Sequence, residues 1–547
     1  MRQFPNDERT GHSSSPSDGE GPVPGSKQTS SGGIAVRIAR AASAQGLNQL
    51  ARVVQLFLLV PICLTAWGTG AYEDGLLLNS IAAFVLLGDL GFVQFTTVKL
   101  IEAWSRGEQE RFSLEWTRAL GLFAVISLVL FCALGVLLAW PGWTGLIHTR
   151  ALPPTEVASI AVLLGLGLVA LMLMSLELGL YRARGDLSRS YHVSSIFVGL
   201  QTAGVAGPAA LGAGPLTAAL GLCIVNWTTL AAIVVDLRYR YPDVRWKPVF
   251  LTFAELSSGL FDAIGYLVSP AAATVMLNGP NVILANLGAP QGVIALFTAS
   301  RTIAGVARQL PYQFAHPAGV ELAGLLARDD RQRLSQVYTS ASRALAIVVG
   351  VLAGFMVVAA PLMMTLWTRG KIVYDAELMF LLVGTTTICA PAQVAYMLLW
   401  YGGYPGTLNR ALIVSTGLAM GFAILLEPPL GVHGVAIGLG AGEIMGIAVY
   451  LSLLVDRLLK RRAGAGLLRN FWTAVLSFLL SAAAGYAFHR LIEPRGWGGL
   501  IELGFAWSLP AAAGLYLLLL SGPQRARLTG AALSVIRSRK LKSQASQ

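Results

Sequence analysis

Trp104–Thr117 reads WSRGEQERFSLEWT, and Leu326–Thr339 reads LARDDRQRLSQVYT. Arg106, Arg111, Ser113 and Thr117 of the first stretch recur without a gap as Arg328, Arg333, Ser335 and Thr339 of the second, 222 residues later, and Trp116 answers Tyr338. The likeness extends in both directions. Gly185-Asp-Leu-Ser-Arg189 with Val193-Ser194 returns at an offset of 221 as Gly406-Thr-Leu-Asn-Arg410 with Val414-Ser415. Leu211-Gly212 returns as Leu430-Gly431, and Asp236 aligns with Asp456. PICLTAWGTGAYEDG from Pro61 loosely matches PNVILANLGAPQG from Pro280. The closest matches fall on polar connectors, where chance likeness between apolar runs does not account for them. The chain therefore duplicates a unit of roughly 220 residues, the near-constant spacing that marks an internal structural repeat.

The composition says in what solvent this unit folds. The 547 residues are 55% hydrophobic and 12% charged, with mean hydropathy +0.63. A soluble domain carries about 25% charged residues, so lipid is the expected surroundings for most of the surface. A crossing helix needs about 20 apolar residues. Such runs are centred near Leu58, Leu86, Leu130, Ala170, Thr202, Thr228, Val268, Thr302, Gly354, Thr387, Leu418, Gly442, Leu480 and Pro510. The seventh and eighth runs are interrupted by Glu255, Asp262, Arg301 and Arg308. Each repeat holds six spans, an even number, so both copies have the same orientation, and two further spans follow beyond Leu467.

With both termini cytoplasmic, 33 of the 40 Lys and Arg residues fall on the inner connectors and tails. Arg150, Arg369, Lys371, Arg490 and Arg495 fall outside, and Arg52 and Arg301 fall within spans. This is the bias of the positive-inside rule. The net charge of +12 is then a membrane address and not a nucleic-acid footprint. The division expected is a disordered cytoplasmic tail 1–33, whose polar composition cannot bury a core, an interfacial helix 34–46, a first lobe 47–240, a second lobe 241–456, two appended spans in 457–521 and a basic tail 522–547. Cys63, Cys132, Cys223 and Cys389 lie in apolar runs without metal-ligand spacing and read as packing residues.

Several of these stretches resemble the polysaccharide or O-antigen flippase (Wzx-type) family of the multidrug/oligosaccharidyl-lipid/polysaccharide exporter superfamily. They are AYEDGLLLNSIAAFVLLGDLGF from Ala71, KLIEAWSRGEQERF, NVILANLGAPQGVIALFTASR, ARDDRQRLSQVYTSASR and GVHGVAIGLGAGE from Gly431. The resemblance covers roughly residues 47 to 460. It implies an all-α integral membrane protein of about 14 transmembrane helices, with two parallel six-helix repeats in a V-shaped, MATE-like bundle plus two C-terminal helices. It also implies alternating access for a polyprenyl-pyrophosphate-linked glycan across the bacterial inner membrane. Membrane lipids and other polysaccharide assembly proteins are the implied partners, and neither a cofactor nor an enzyme activity is implied.

A pyrophosphate in such a cavity needs cations, and the planar fork of Arg suits it best. Arg301 leads, because an arginine at a helix centre costs about 2.5–3.5 kcal/mol on insertion scales and so faces a cavity or a partner. The alternative for it is an ion pair with Asp262 on the seventh span. Arg308 lies seven residues on, on the same helix face, and either guides phosphate or snorkels to the surface. Arg52 belongs to a polar stripe on the first span with Gln45, Asn48 and Gln55. The stripe reads as a cavity wall, with snorkelling as the rival for Arg52. Asp89 and Glu443 are membrane-embedded acids that, with Asp262, either couple an ion or gate, or are paired and capped. Glu177 and Glu255 read as interfacial pairs, and His433 as solvated at a span start. No residues are expected to be catalytic or to bind a metal, and no Walker-type GxxxxGK[ST] occurs.

Three competing functions share parts of this pattern. A drug or metabolite exporter of the same superfamily would be expected to have twelve spans and to rely on acids. A peptidoglycan lipid-precursor flippase shares the fourteen-span plan and cationic cavity. A membrane polysaccharide polymerase would need a sizeable outer loop with clustered acids, His or nucleophiles, and the outer connectors here are short.

Overall fold

The computed structural model describes residues 31–249, 252–462 and 464–519. The side chains of 31–42, 253–262, 310–314, 516–519 and a few single positions lie outside that description. Among the described residues, nine helices are long and apolar enough to cross a membrane, and the bent pair Ala376–Cys389 and Ala392–Tyr401 (52°) makes a tenth. Two of the nine are 47 and 54 residues long, about twice what a bilayer needs. Each is divided by a glycine in a non-helical conformation, Gly68 (φ 75, ψ 174) and Gly431 (φ 58, ψ −137). A side chain is disfavoured at such dihedrals, so the apolar run turns back there. Helices Val293–Ala327 and Gly496–Leu519 complete fourteen segments.

These segments are α1 (31–67), α2 (69–105), α3 (Gln109–Ala139), α4 (Pro154–Ala183), α5 (Leu187–Ala210), α6 (Pro215–Arg240) and α7 (Phe253–Asn286). They continue as α8 (Val293–Ala327), α9 (Arg331–Trp367), α10 (376–401), α11 (405–430), α12 (432–458), α13 (Ala465–Ile492) and α14 (Gly496–Leu519). The described chain is a multi-pass, all-helical membrane protein of fourteen helical segments. The stretch 34–46, expected as a separate interfacial helix, runs without a break into α1. The tails 1–30 and 520–547 lie outside the described residues.

The duplication is visible in the packing. One core holds Leu100, Phe112, Trp116, Phe123 and Leu176, and a second holds Leu322, Leu334, Tyr338, Leu345 and Leu398. Every member of the second set stands 222 residues after its counterpart. The shared connector builds the same turn in both units, with positive φ at Gly107 (74°) and at Asp329 (53°). Asp330 then caps α9 by accepting the Arg333 amide at 3.1 Å. The segment 241–249, expected with the second unit, lies against the first. Val244 belongs to the first core, the Val249 amide donates to the Thr117 carbonyl at 2.9 Å, and Trp246 stands edge-on to Trp116.

Glycine sets how close the helices come. Along α12, Gly434, Gly438, Gly442 and Gly446 face Leu426, Ala423, Ala419 and Ser415 of α11, where an added Cβ would meet the neighbouring helix at 2.0–2.4 Å. With no Cβ the two backbones close into a zipper, the usual way for helices to associate in lipid. The appended α13 docks by the same device. A Cβ on Gly354 of α9 would stand 2.4 Å from the Phe478 carbonyl and 2.8 Å from the Ala482 amide. Ser481 donates to the Val351 carbonyl at 2.6 Å, and Trp507 of α14 donates to Ser481 at 3.0 Å.

Gly354→Val should therefore push α13 off α9 and lower stability by about 1–3 kcal/mol, the usual cost of overpacking. Gly417→Ala, at a position with nothing within 4 Å of the new Cβ, should leave the thermal midpoint in detergent unchanged.

Candidate functional site

The site is built on α7 and α8. Pro280 lies inside α7 and has no N–H, so the Met276 carbonyl four residues earlier has no helical donor. Arg301 of α8 supplies it. Its Nη2 donates to the Met276 carbonyl at 2.7 Å and its Nη1 to the Leu277 carbonyl at 3.0 Å. The guanidinium lies 5.9 Å from the Phe297 ring centre and is partly exposed. A guanidinium has five N–H donors, so these two bonds leave others for a ligand. They also leave its charge uncompensated, because carbonyls supply dipoles only. The side chain of Asp262, the expected ion-pair partner, lies outside the described residues.

Arg308 shares one α8 face with Arg301 but has a different partner. Its Nη1 is 2.8 Å from Oε1 of Glu443 on α12, and the two side chains are 40% and 13% exposed. Two groups that were separate candidates in the sequence are thus one ion pair. Arg308 also lines a narrow cavity with Thr386, Cys389 and Gln393 of α10 and with Leu345 and Val349 of α9. Glu443 is the last residue before a π-helical stretch, Ile444–Leu451, a feature frequent at functional sites.

The polar stripe of α1 turns toward α5. Arg52 donates through Nε to Asn48 at 3.2 Å, and buried Asn48 donates to Ser195 at 3.4 Å. Arg52 itself is exposed, and Gln55 is half-buried. Asp89 serves its own backbone, since its carboxylate accepts the Gly91 amide at 3.1 Å where α2 is interrupted at Leu90 and Gly91, both at positive φ. Glu177, expected as an interfacial pair, is buried, and its Oε2 has no hydrogen-bond partner among the described residues. His433, expected to be merely solvated, lies 3.0 Å from Asp375, the cap of α10. Burial raises the Asp375 carboxyl, but the Leu378 amide and His433 outweigh it and leave the group below its ordinary range.

A set of residues that received no role from the sequence closes the seam between the lobes, at the face opposite the Arg-rich connectors. Glu73 and Asp74 are each 3% exposed. Glu73 accepts the Gly292 and Ala295 amides at 2.8 and 3.0 Å, capping the start of α8 from the other lobe. Asp74 accepts the amides of Arg150, Ala151 and Leu152 at 2.8–3.1 Å, and the Arg150 guanidinium reaches across to the Ala289 carbonyl. Trp367 donates to the Phe57 carbonyl, which Pro61 leaves without a donor. Lys371 donates to the Leu64 carbonyl in the last turn before the Gly68 break, and both bonds are 2.9 Å. Deeper in the seam Asn281 donates to Ser80 at 2.9 Å. The available signal was a Glu-Asp pair inside an apolar run, a few residues beyond a glycine.

No family model matches the chain, and no curated protein matches it. Solved structures do. The lipid II flippase MurJ in an inward closed conformation aligns over 87% of this chain and 100% of its own at 13% identity, with a TM-score of 0.61. An inward-facing multidrug resistance MATE family transporter of the MOP superfamily aligns over 78% and 98% at 17% identity, with a TM-score of 0.60. A MOP superfamily transporter from Pyrococcus furiosus aligns over 78% and 96% at 16% identity, with a TM-score of 0.56. The fold is the MATE-like one that these proteins share.

Hydrogen bonds to a charged group are worth about 1.5–3 kcal/mol, so Glu73→Gln should loosen the closed face. In a Cys132→Ser background, a membrane-impermeant maleimide should then label Cys63, which is 3% exposed beside this seam, at least about tenfold faster. Unchanged labelling would show that Glu73 does not hold the gate.

Proposed function

We propose that this protein is a flippase that moves a polyprenyl-pyrophosphate-linked oligosaccharide from the cytoplasmic to the outer leaflet of the bacterial inner membrane, with its Arg-rich face and both termini in the cytoplasm. The observation that carries the reading is the pair Arg301 and Arg308 on one face of α8, a helix that meets α1 across the seam of a two-lobed transporter fold. A cation within a membrane span is expensive and points to a pathway, and two guanidinium forks suit a diphosphate better than a neutral drug. Arg52, Asn48 and Gln55 on α1 extend the polar surface along which a glycan could pass without full desolvation. The hydrogen-bonded closure opposite the basic face supports alternating access, since it leaves the cytoplasmic side as the side of entry. Movement of a negative headgroup outward runs with an inside-negative potential, worth about 2.3 kcal/mol per charge per 100 mV.

A peptidoglycan lipid precursor is the second reading. The lipid II flippase aligns with more of this chain than the MATE family transporter does, 87% against 78%. Both cargoes carry the same polyprenyl pyrophosphate, so both place the same demand on α8.

The test is leaflet-specific labelling of polyprenyl-pyrophosphate oligosaccharide. Cells depleted of the protein should accumulate it in the cytoplasmic leaflet, and normal export would remove the function. In proteoliposomes Arg301→Lys, which keeps the charge but loses the fork, should flip the lipid at least about tenfold more slowly. An unchanged rate in that variant would take Arg301 out of the site.

A further inference from the structure

We infer that Glu443 is a built-in counter-ion that occupies Arg308 whenever the cargo headgroup is absent, and that the headgroup binds by displacing it. The inference rests on the reading of α8 as the pyrophosphate site. Arg308 lies fifteen residues into α8, about 22 Å along the helix at 1.5 Å per residue, and so deep within the span. An uncompensated guanidinium at that depth is costly, yet a carrier that returns empty has to bring it back without cargo. A carboxylate at 2.8 Å removes that penalty.

The two partners are unequal in a way that favours exchange. Glu443 is nearly buried and Arg308 is not, at 13% against 40% exposure, so a ligand can reach the arginine while the pair is intact. The backbone that carries Glu443 is also closely held. Its neighbours Gly442 and Gly446 are locked against Ala419 and Ser415, where even a Cβ would meet the facing helix at 2.4 Å or less. An anion arriving at Arg308 therefore competes with Glu443 and does not travel with it.

Arg301 supplies the contrast. It is held, among the described residues, by two backbone carbonyls and not by a carboxylate. Among those residues, the empty site then holds two guanidinium groups and one carboxylate. A diphosphate takes the place of the carboxylate at Arg308 and meets Arg301 directly.

Competition of this kind makes opposite predictions for binding and for turnover. Glu443→Gln has the same shape, so the protein should melt within a few degrees of the wild type. Removing the competitor should tighten binding of undecaprenyl pyrophosphate in phosphatidylcholine vesicles about tenfold, and multiple-turnover flipping should fall at least about tenfold because the empty return now carries Arg308 without this carboxylate. Adding Arg308→Gln to that variant should undo both effects, weakening binding and restoring part of the return rate. If Glu443→Gln binds no tighter, or loses affinity and turnover together, Glu443 is only a brace and the inference fails. If wild-type protein does not bind undecaprenyl pyrophosphate at all, the reading of the site fails first, and the two failures are told apart by that one control.

Discussion

A backbone carbonyl that loses its donor inside hydrocarbon has to find another, because no water is there to replace it. Several bends in this protein carry a side chain that meets this demand. Pro280 exposes the Met276 carbonyl and Arg301 takes it; Pro61 exposes the Phe57 carbonyl and Trp367 takes it. Lys371 donates to the Leu64 carbonyl at the end of α1, and at the interruption of α2 the roles reverse, with Asp89 accepting the Gly91 amide. The irregular helices give a wall its shape, and the residues that repair them are the charged and aromatic groups that a cavity needs. Arg301, Trp367 and Lys371 are therefore held where the helices are broken.

The architecture was largely legible in the sequence, and the reason is local. A connector such as WSRGEQERFSLEWT encodes its own turn, so its reappearance as LARDDRQRLSQVYT forecast a second copy of the same core, with Trp116 and Tyr338 in equivalent places. The glycines of GVHGVAIGLGAGEIMG include Gly434, Gly438, Gly442 and Gly446, whose spacing by four puts them on the one face that meets α11. The site was less legible because its bonds join distant residues. Arg308 and Glu443 are 135 residues apart, and Glu73 and Gly292 are 219 apart. The partners of Arg301 are peptide carbonyls, which every residue has. The one local hint was Pro280, four positions after Met276, and its meaning required knowing which helix packs beside α7.

The repeat is faithful in its scaffold and not in its chemistry. At an offset of 222, Arg301 corresponds to Asn79 and Arg308 to Leu86. The matching stretch of the first lobe is a 3-10 turn, Ala83–Asp89, in place of a charged helix face. On the proposed reading, a symmetric carrier would offer two equal sites to a ligand that has one diphosphate. The second lobe contributes Arg301 and Arg308 of α8, while the first lobe contributes the polar stripe of α1 with Arg52 and an acid, Glu73, that seals the far side.

The two kinds of repaired bend have different consequences for motion. Arg301 and the α7 carbonyls it serves lie in the same lobe and deep in the span, where a donor cannot be surrendered to water. They should therefore move as one body with α7 and α8 in every state. The bonds of Glu73, Arg150 and Lys371 join one lobe to the other, and they sit at helix ends near the membrane boundary. When these part, water can take over the α8 amides and the Leu64 carbonyl at small net cost. The Arg301 repair thus lies within one lobe, whereas the bonds of Glu73, Arg150 and Lys371, and the Trp367 repair of the Pro61 bend, cross from one lobe to the other.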